Sequence, residues 1–529
     1  MKEDFMEKKT YYLTTPIYYP SGKFHIGTAY TTVLADSIKR YKSLRGYDAF
    51  LLTGLDEHGQ KIENASKEKN IDSQTYVDNM AKDAIDLWKL LDISNDGFIR
   101  TTNLKHVKIV EKIFDEMLNK GDIYLGEYNG WYCVPCETFF TETQLVDGKC
   151  PDCGRVVKKT SEEAYFFNMK KYQSKLLEFY DANPDFLIPT SRKNEIINNF
   201  IKPGLEDLCV TRTSFNWGIK VLSDPKHVVY VWLDALVNYI SALGYGTDND
   251  ELFKKYWPAD LHIVGKDIIR FHAIYWPIFL MSLGLELPKQ IYAHGWYIMK
   301  DGKMSKSKGN TVYPDILANR YGVDATRYLL LREISYDQDG LFSIEGFIDR
   351  FNNDLSNDLG NLVSRTLGMI NKYFEGFIKR SISNEDIDKE METSVNDIVM
   401  LVENDMDTIH IANALTDIWK IIDKSNKYID TTEPWVLFKD ETSRERLSSV
   451  MYHLLENIRK VAILIKPFMP TTSEKIFEQI GIVNSEHKNW TSLYDYYLLD
   501  DIKVINKIEP LFMRLDKEEE IKYMMESDK

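Results

Sequence analysis

Cysteine is scarce, five residues in 529, too few for the disulfide framework of small secreted domains. Long apolar runs are also missing. The longest apolar stretch free of charge and histidine, Ala273 to Leu285, falls short of the roughly 18 residues that a membrane span needs, so no membrane partner is expected. The amino terminus, Met-Lys-Glu-Asp-Phe-Met-Glu-Lys-Lys, mixes acids with bases around no apolar core. That excludes a secretory leader, and the acids are unlike a transit peptide; a cytoplasmic protein is expected. Positive charge is not in excess either. With 66 Lys+Arg against 81 Asp+Glu the formal charge is −15, which taken alone argues against a nucleic-acid partner. The sequence shows no internal repeat and no low-complexity tract.

What is present is ordinary globular material, 44% hydrophobic and 28% charged, long enough for about three to four domains. Tyr11 to Thr15 reads as a strand, Thr28 to Arg45 as a helix stopped by Gly46, and Asp48 to Thr53 as a buried strand. Strand, helix, strand at this length is a βαβ unit, which builds a parallel sheet with its ligand site beyond the strands' carboxyl ends. Helices follow over Ser73–Leu91 and Asn103–Asn119. Residues 121–170 then read as a small, mostly β insertion with turns at Asn129-Gly130 and Asp147-Gly148. Parallel-sheet signals resume at Val228–Val231 and Leu261–Val264, and Gln290–Met299 predicts a further strand. Beyond about 345, apolar residues recur at helical spacing through 350–378, 394–428 and 442–466, the pattern of a helix bundle.

Three constellations carry chemistry. Cys133-Val-Pro-Cys136 and Cys150-Pro-Asp-Cys153 can place four thiolates around one structural Zn²⁺. The rivals are two redox dithiols, whose thioredoxin-like βαβ context is missing here, or four unrelated buried thiols. From Lys300 to Asn310 four lysines stand against one aspartate, a basic loop among small residues that suits a polyphosphate whose charge grows during reaction; a bare lysine cluster is otherwise a solvated surface run. Phe24-His25-Ile26-Gly27-Thr28 lies at the turn into the first helix, where unpaired N–H groups and the helix dipole favour phosphate. Gly27 leaves room there for a nucleotide base, and His25 adds a donor.

Together these motifs resemble the class I aminoacyl-tRNA synthetases. His25-Ile-Gly-Thr28 is similar to the family's HIGH motif, with Thr28 where the second histidine usually stands, and Lys303-Met-Ser-Lys-Ser307 matches its KMSKS motif. Within the class, the methionyl branch is the one resembled, over nearly the whole chain: Thr14–Gly22, Thr53–Gln60, Tyr230–Ala235 and Gly265–His272 look like its pocket segments. The resemblance implies an α/β fold, a parallel Rossmann-like sheet split by a zinc-knuckle insertion and followed by an all-α bundle. Residues 1–120 and 226–300 would form the two halves of the catalytic domain, and 121–225 the connective insertion. Residues 301–349 would carry the KMSKS loop and stem-contact region, and 350–529 would bind the anticodon. The stretch 120–225 is too short for the editing domain of the isoleucyl, leucyl and valyl enzymes.

By this match the substrates are L-methionine, ATP with Mg²⁺, and tRNA(Met). Ile17, Tyr19, Trp232, Ala235, Leu236, Tyr239, Ile268, His272 and Trp276 would surround the methionine side chain, and Asp56 would hold its ammonium. Leu236 stands where some relatives have proline. Without the motifs, Trp232, Ala235, Leu236 and Tyr239 read as one buried helix face. His25, Gly27, Thr28, Gly265, Asp267, Lys303, Ser305 and Lys306 would bind ATP. His25, Thr28, Lys303 and Lys306 among them would stabilise the reacting phosphates. Cys133, Cys136, Cys150 and Cys153 would hold zinc. A pocket resolves one methylene by only about 1–3 kcal/mol, so homocysteine is the expected misactivated substrate.

Asn361, Arg365 and Trp435 stand in segments resembling the anticodon-binding helices, where an indole stacks an unpaired base and amide and guanidinium groups read its edges. The alternatives are capping and core packing. Residues 351–529 carry 22 bases against 33 acids, −11, which leaves −4 for residues 1–350. Charge therefore bounds the mode of tRNA binding, through local basic and aromatic contacts, and not its existence. The chain stops soon after Pro510, short of the dimerising domain many relatives append, so a monomer is expected. Two rivals stand against this reading. A cysteinyl synthetase would put its zinc in the active site, and a silent zinc- and RNA-binding protein on the same scaffold would not need the Lys303–Ser307 loop.

Overall fold

The computed structural model describes residues 8–133, 138–140, 142–151, 154–299, 302–303, 311–383 and 385–527. The βαβ opening folds as its pattern dictates: strand β1 (Thr10–Tyr18), helix α1 (Ile26–Leu44) and strand β2 (Asp48–Leu55). With β3 (Gly97–Arg100), β4 (Leu187–Ile188), β5 (Leu261–Gly265) and β6 (Ile291–His294) they make one six-stranded sheet, in the order β3-β2-β1-β5-β6-β4. Every pairing in it is parallel. The order reverses between β1 and β5, so the crevice at their carboxyl ends is the switch point where such sheets bind ligands.

Pro16 would break a ladder in the middle of this sheet, having no N–H to give. Instead the register slips there: Thr14 faces Leu52 and Ile17 faces Gly54, one extra residue on β1. This bulge re-aims the side chains beyond it, next to the crevice. One apolar cluster joins α1 to the helical region, and a second, on α2 (Val231–Ser241) and α3 (Trp276–Leu283), packs against the insertion.

The helices over Ser73–Leu90 and Leu104–Asn119 begin at Asp72 and Asn103, whose side chains accept from Thr75 and Lys105 N–H groups. The insertion is a four-stranded antiparallel sheet, and β4, within residues 121–225, joins the central sheet. Asp147 and Gly148 have φ of 51° and 71° and close a turn as expected. Asn129-Gly130 does not. It lies inside the strand Ile123–Cys133, where a Cβ on Gly130 would meet Tyr128 Oη at 2.3 Å; the glycine serves close packing, not a turn.

Two further strand expectations are corrected. Only Val228–Val229 is extended, and it pairs antiparallel with Thr211–Arg212 instead of entering the parallel sheet, because Val231 already begins α2. Gln290–Met299 divides into β6 and the separate strand Tyr297–Met299, which pairs with Gly302–Lys303 and Gly340–Leu341. Gly295 sits at the break, where any Cβ would meet Gln338 O at 2.0 Å.

The carboxyl-terminal part is helical: α4 (Val323–Glu333), α5 (Asn361–Phe374), α6 (Asp386–Asp407), α7 (Ile411–Thr432) and α8 (Arg444–Ile465). The helical pattern expected over 394–428 is broken at Ile409, whose φ is 64°, where α6 turns back into α7. π-Helical winding over Phe351–Gly360 runs directly into Asn361 at the start of α5.

Candidate active site and anticodon groove

His25 caps α1. Its backbone is extended, with φ −107° and ψ 175°, and its Nδ1 accepts from Gly27 N at 3.0 Å. That contact leaves the ring proton on Nε2, a donor at the helix N-terminus. Gly27 is required by the same geometry, since a Cβ there would meet His25 Cε1 at 2.8 Å. Thr28 follows in the first turn, its carbonyl accepting from the Thr32 hydroxyl.

Across the switch point, β5 ends at Gly265, and a Cβ on it would meet Asp267 Oδ1 at 2.5 Å. Trp296 Nε1 donates to that same oxygen at 3.1 Å. Lys266 pairs with Asp339 at 2.7 Å and lies over the Trp296 ring. His294, at the end of β6, meets the Thr31 hydroxyl of α1 at 2.9 Å. Asp267 is therefore held in place, while none of Lys266, Trp296, His294 and Asp339 was singled out in the sequence; no local spacing links them.

At the end of β2, Asp56 is buried and its N–H donates to Tyr18 O, beside the end of β1. Glu57 accepts from Arg100, and burial pushes its carboxyl up. His58 meets Asp234 of α2 at 2.7 Å, and His106 meets the other oxygen at 2.7 Å. Burial raises the Asp234 carboxyl, but His58 and His106 overcome it and hold the group at about 2. His58 and Asp234 lie in the segments Thr53–Gln60 and Tyr230–Ala235, whose sequence signal points to Asp56, Trp232 and Ala235 but not to this buried pair.

The methionine-pocket candidates gather between α2 and α3. Leu236, Tyr239 and Trp276 share one apolar cluster, with Ile17 and Ile268 packed against it. Ala235 is buried on the same helix. Tyr239 Oη meets His272 Nε2 at 2.7 Å, and His272 Nδ1 faces Ile268 O at 3.0 Å. A carbonyl only accepts, so Nδ1 carries the proton and Tyr239 is the donor. Burial holds His272 down at about 4, against the Ile268 carbonyl and Asp267, so it is neutral at physiological pH. Trp232 stands slightly apart, stacked on Phe271 with centroids 3.3 Å apart. Tyr19 packs in a third cluster, with Lys61 over its ring.

Lys303 ends a short strand paired with Tyr297–Met299; Ser305 and Lys306 lie outside the described residues. So do Cys136 and Cys153. Cys133 and Cys150, one from each pair, are buried in the same small cluster with Phe140 and Val157. Gly154 N donates to Cys150 O, with Gly154 at φ 69°, a tight turn after the second pair. Two soft donors in one buried cluster are compatible with half of a tetrahedral thiolate site.

In the helical region Arg365 donates to Asp430 at 3.0 Å, in the last turn of α7. Trp435 follows that turn and is 38% exposed. Asn361 lines an open groove of about 490 Å³ with Ser356, Asn357, Ser364 and Phe512. An amide in the groove, a half-buried guanidinium one turn along α5 and an exposed indole after α7 are groups that suit an unstacked base. Asp358, in the π-helical stretch that leads into α5, is pushed up to about 6 by burial and by Asp423 and Asp354.

A family described as tRNA synthetases class I (M) matches residues 11–160 and 154–367, and the anticodon binding domain of methionyl tRNA ligase matches 380–526. The methionine–tRNA ligase of Bacillus subtilis is 56% identical over 532 residues, 98% of this chain and 80% of its own. That of Caldanaerobacter subterraneus subsp. tengcongensis is 57% identical over 514 residues, 97% of this chain and 80% of its own. The Mycobacterium tuberculosis methionyl-tRNA synthetase in complex with methionyl-adenylate superposes with a TM-score of 0.91 at 41% identity, covering 96% of this chain and 100% of that one. Its apo form gives 0.83 at 38% identity, covering 96% and 99%.

Proposed function

The chain belongs to the methionyl-tRNA synthetases, a branch of the class I aminoacyl-tRNA synthetases, and from that premise we propose how its residues divide the work. The enzyme is a methionine–tRNA ligase. It joins L-methionine and ATP into methionyl-adenylate and pyrophosphate, then passes the methionyl group to the terminal adenosine of tRNA(Met).

The attacking group in the first step is the substrate's own carboxylate, so the protein supplies no nucleophile. Its contribution is positioning and charge stabilisation. His25, through Nε2–H, and Thr28 contact the phosphates at the α1 N-terminus, with Gly27 leaving room for the nucleotide. Gly265 and Asp267 hold the ribose side, Asp267 fixed by Trp296. Lys303, Ser305 and Lys306 cover the departing pyrophosphate, and Mg²⁺ enters with ATP as part of the substrate. Asp56 holds the ammonium of methionine, and its side chain runs between the rings of Trp232, Tyr239, His272 and Trp276, with Ile17, Tyr19, Ala235, Leu236 and Ile268 completing the walls. Thr28 replaces a ring donor with a hydroxyl, which still donates to a phosphate oxygen.

The observation that supports these assignments best is the capping of α1 by His25 at the switch point between β1 and β5. Asn361, Arg365 and Trp435 read the anticodon. Zinc is a structural ion of Cys133, Cys136, Cys150 and Cys153, a role supported by the shared burial of Cys133 and Cys150 and by the soft donor set. A cytoplasmic location fits the reaction, and among the described residues no helix is long and apolar enough to cross a membrane.

Pyrophosphate exchange across the twenty amino acids tests the substrate assignment. Methionine alone is expected to support exchange; no activity with any amino acid would favour a silent RNA-binding scaffold. Metal analysis should find one zinc per chain, and a protein purified without zinc yet fully folded and active would overturn the knuckle.

A further inference from the structure

His262, the second residue of β5, lies beside the residues assigned to the methionine pocket and is fully buried. Its Nε2 takes a hydrogen bond from Trp276 Nε1 at 3.2 Å, and its Nδ1 meets the Thr14 hydroxyl of β1 at 2.7 Å. Its ring lies against Tyr239, centroids 4.3 Å apart and 35° between planes. One imidazole therefore touches β1, α2 and α3 at once.

The tautomer is decided by its neighbours. An indole nitrogen only donates, so Nε2 must be the bare nitrogen and Nδ1 the protonated one, donating to Thr14. A charged imidazole would turn a second N–H toward the indole. Burial, and then the nearby His272, push His262 well below its ordinary range, so it stays neutral and the acceptor is kept.

Trp276 has no other nitrogen to offer and is itself fully buried, with Trp257 edge-on at 6.0 Å. Its ring plane is thereby set from behind. Tyr239 is set in the same way, held by His262 on one side and donating to His272 on the other.

We propose that His262 is a positioning residue for methionine selectivity: by accepting from Trp276 and donating to Thr14 it locks the indole that closes the side-chain pocket. The inference rests on the pocket assignment above and deepens it. A locked wall discriminates by shape, because a chain one methylene longer than methionine meets an indole that cannot swing aside. A loosened wall accepts both chains poorly and tells them apart less well.

The test is methionine-dependent pyrophosphate exchange with methionine and with ethionine, its homologue longer by one methylene. His262→Phe keeps a ring but removes the acceptor. It is expected to raise the methionine KM about tenfold, to narrow the preference over ethionine several-fold, and to leave the ATP KM unchanged. His262→Gln, whose amide oxygen reaches the Nε2 position, should recover most of the methionine KM. His262→Asn, whose amide reaches only the Nδ1 position, should not, and this pair decides the matter if the Phe variant does not fold.

Equal effects of Gln and Asn, or parallel losses in methionine and ATP KM, would mean a merely structural core histidine and would overturn the proposal. Trp276→Ala separates the two levels. An unchanged methionine KM in that variant sinks the pocket assignment itself; a raised KM there with a normal His262→Phe enzyme sinks only the role of His262.

Discussion

The Arg327 guanidinium donates to Asp36 Oδ2 at 2.6 Å with both side chains fully buried. Asp36 belongs to α1, the helix that His25 caps, and Arg327 to α4. The same guanidinium donates to the carbonyls of Leu91, Pro467 and Phe468, the last two in the turn that follows α8. One side chain thus ties α1 to the end of α8, a buried helix of the carboxyl-terminal region. Burial raises the Asp36 carboxyl, but Arg327 and Arg40 overcome it and keep the group ionised.

Breaking that pair leaves a buried carboxylate with Arg40 as its one remaining counter-charge, beside the Ser94 donors, and removes a donor from these three carbonyls. Arg327→Met is expected to destabilise the protein by about 3 kcal/mol or more. Urea unfolding followed by tryptophan fluorescence measures it, compared by midpoint because a chain of several domains need not unfold in one step. A midpoint equal to that of the parent would refute the structural weight given to the pair.

Lys306 is assigned to the pyrophosphate leaving group. Lys306→Ala should slow methionine-dependent exchange about 100-fold, equivalent to about 3 kcal/mol of transition-state stabilisation, with little change in methionine affinity. Undiminished exchange would remove the loop from the reaction.

Trp435 is exposed just after the last turn of α7 and remote from the nucleotide crevice in the chain order. A stacked base is worth about 1–3 kcal/mol, so Trp435→Ala should lower kcat/KM for tRNA charging by about ten- to a hundredfold while exchange stays at the parental rate. A parallel fall in both reactions would contradict the anticodon role.

Asp358 provides a pH signature. Its folded pKa, about 6, lies above the unfolded value of about 4, so the folded state binds the extra proton between these limits. Stability should therefore fall as pH rises through that window and level off above it. Asp358→Asn should flatten this slope, read as the thermal midpoint at a series of pH values. A slope unchanged in the variant would assign the titration elsewhere.

Much of the fold was legible because local chemistry specifies it. Aromatic and β-branched residues made β1 a strand, helical patterning showed the helices over 73–91 and 103–119, and Gly46 (φ 86°) marked the stop of α1. The failures have one physical cause. Asn129-Gly130 has turn chemistry, yet pairing with Thr160 and Ser161 across the insertion sheet overrides it. Val228–Val231 has strand propensity, yet α2 begins before a parallel partner is reached. Propensity is a weak local preference, and a ladder or a buried helix face outweighs it.

The motif residues His25, Gly27, Thr28 and the lysine loop, with the cysteine spacing, pointed to the family from the sequence by itself, because each motif is recognisable from local spacing. Only the tertiary structure decided which distant partners brace the described elements around the crevice. His262 meets Thr14 across 248 residues and Arg327 meets Asp36 across 291. Contacts at such separations follow from the strand order and the packing of α1 against α4. Hydrophobic periodicity says which face of an element is buried, but not which buried polar group it will meet.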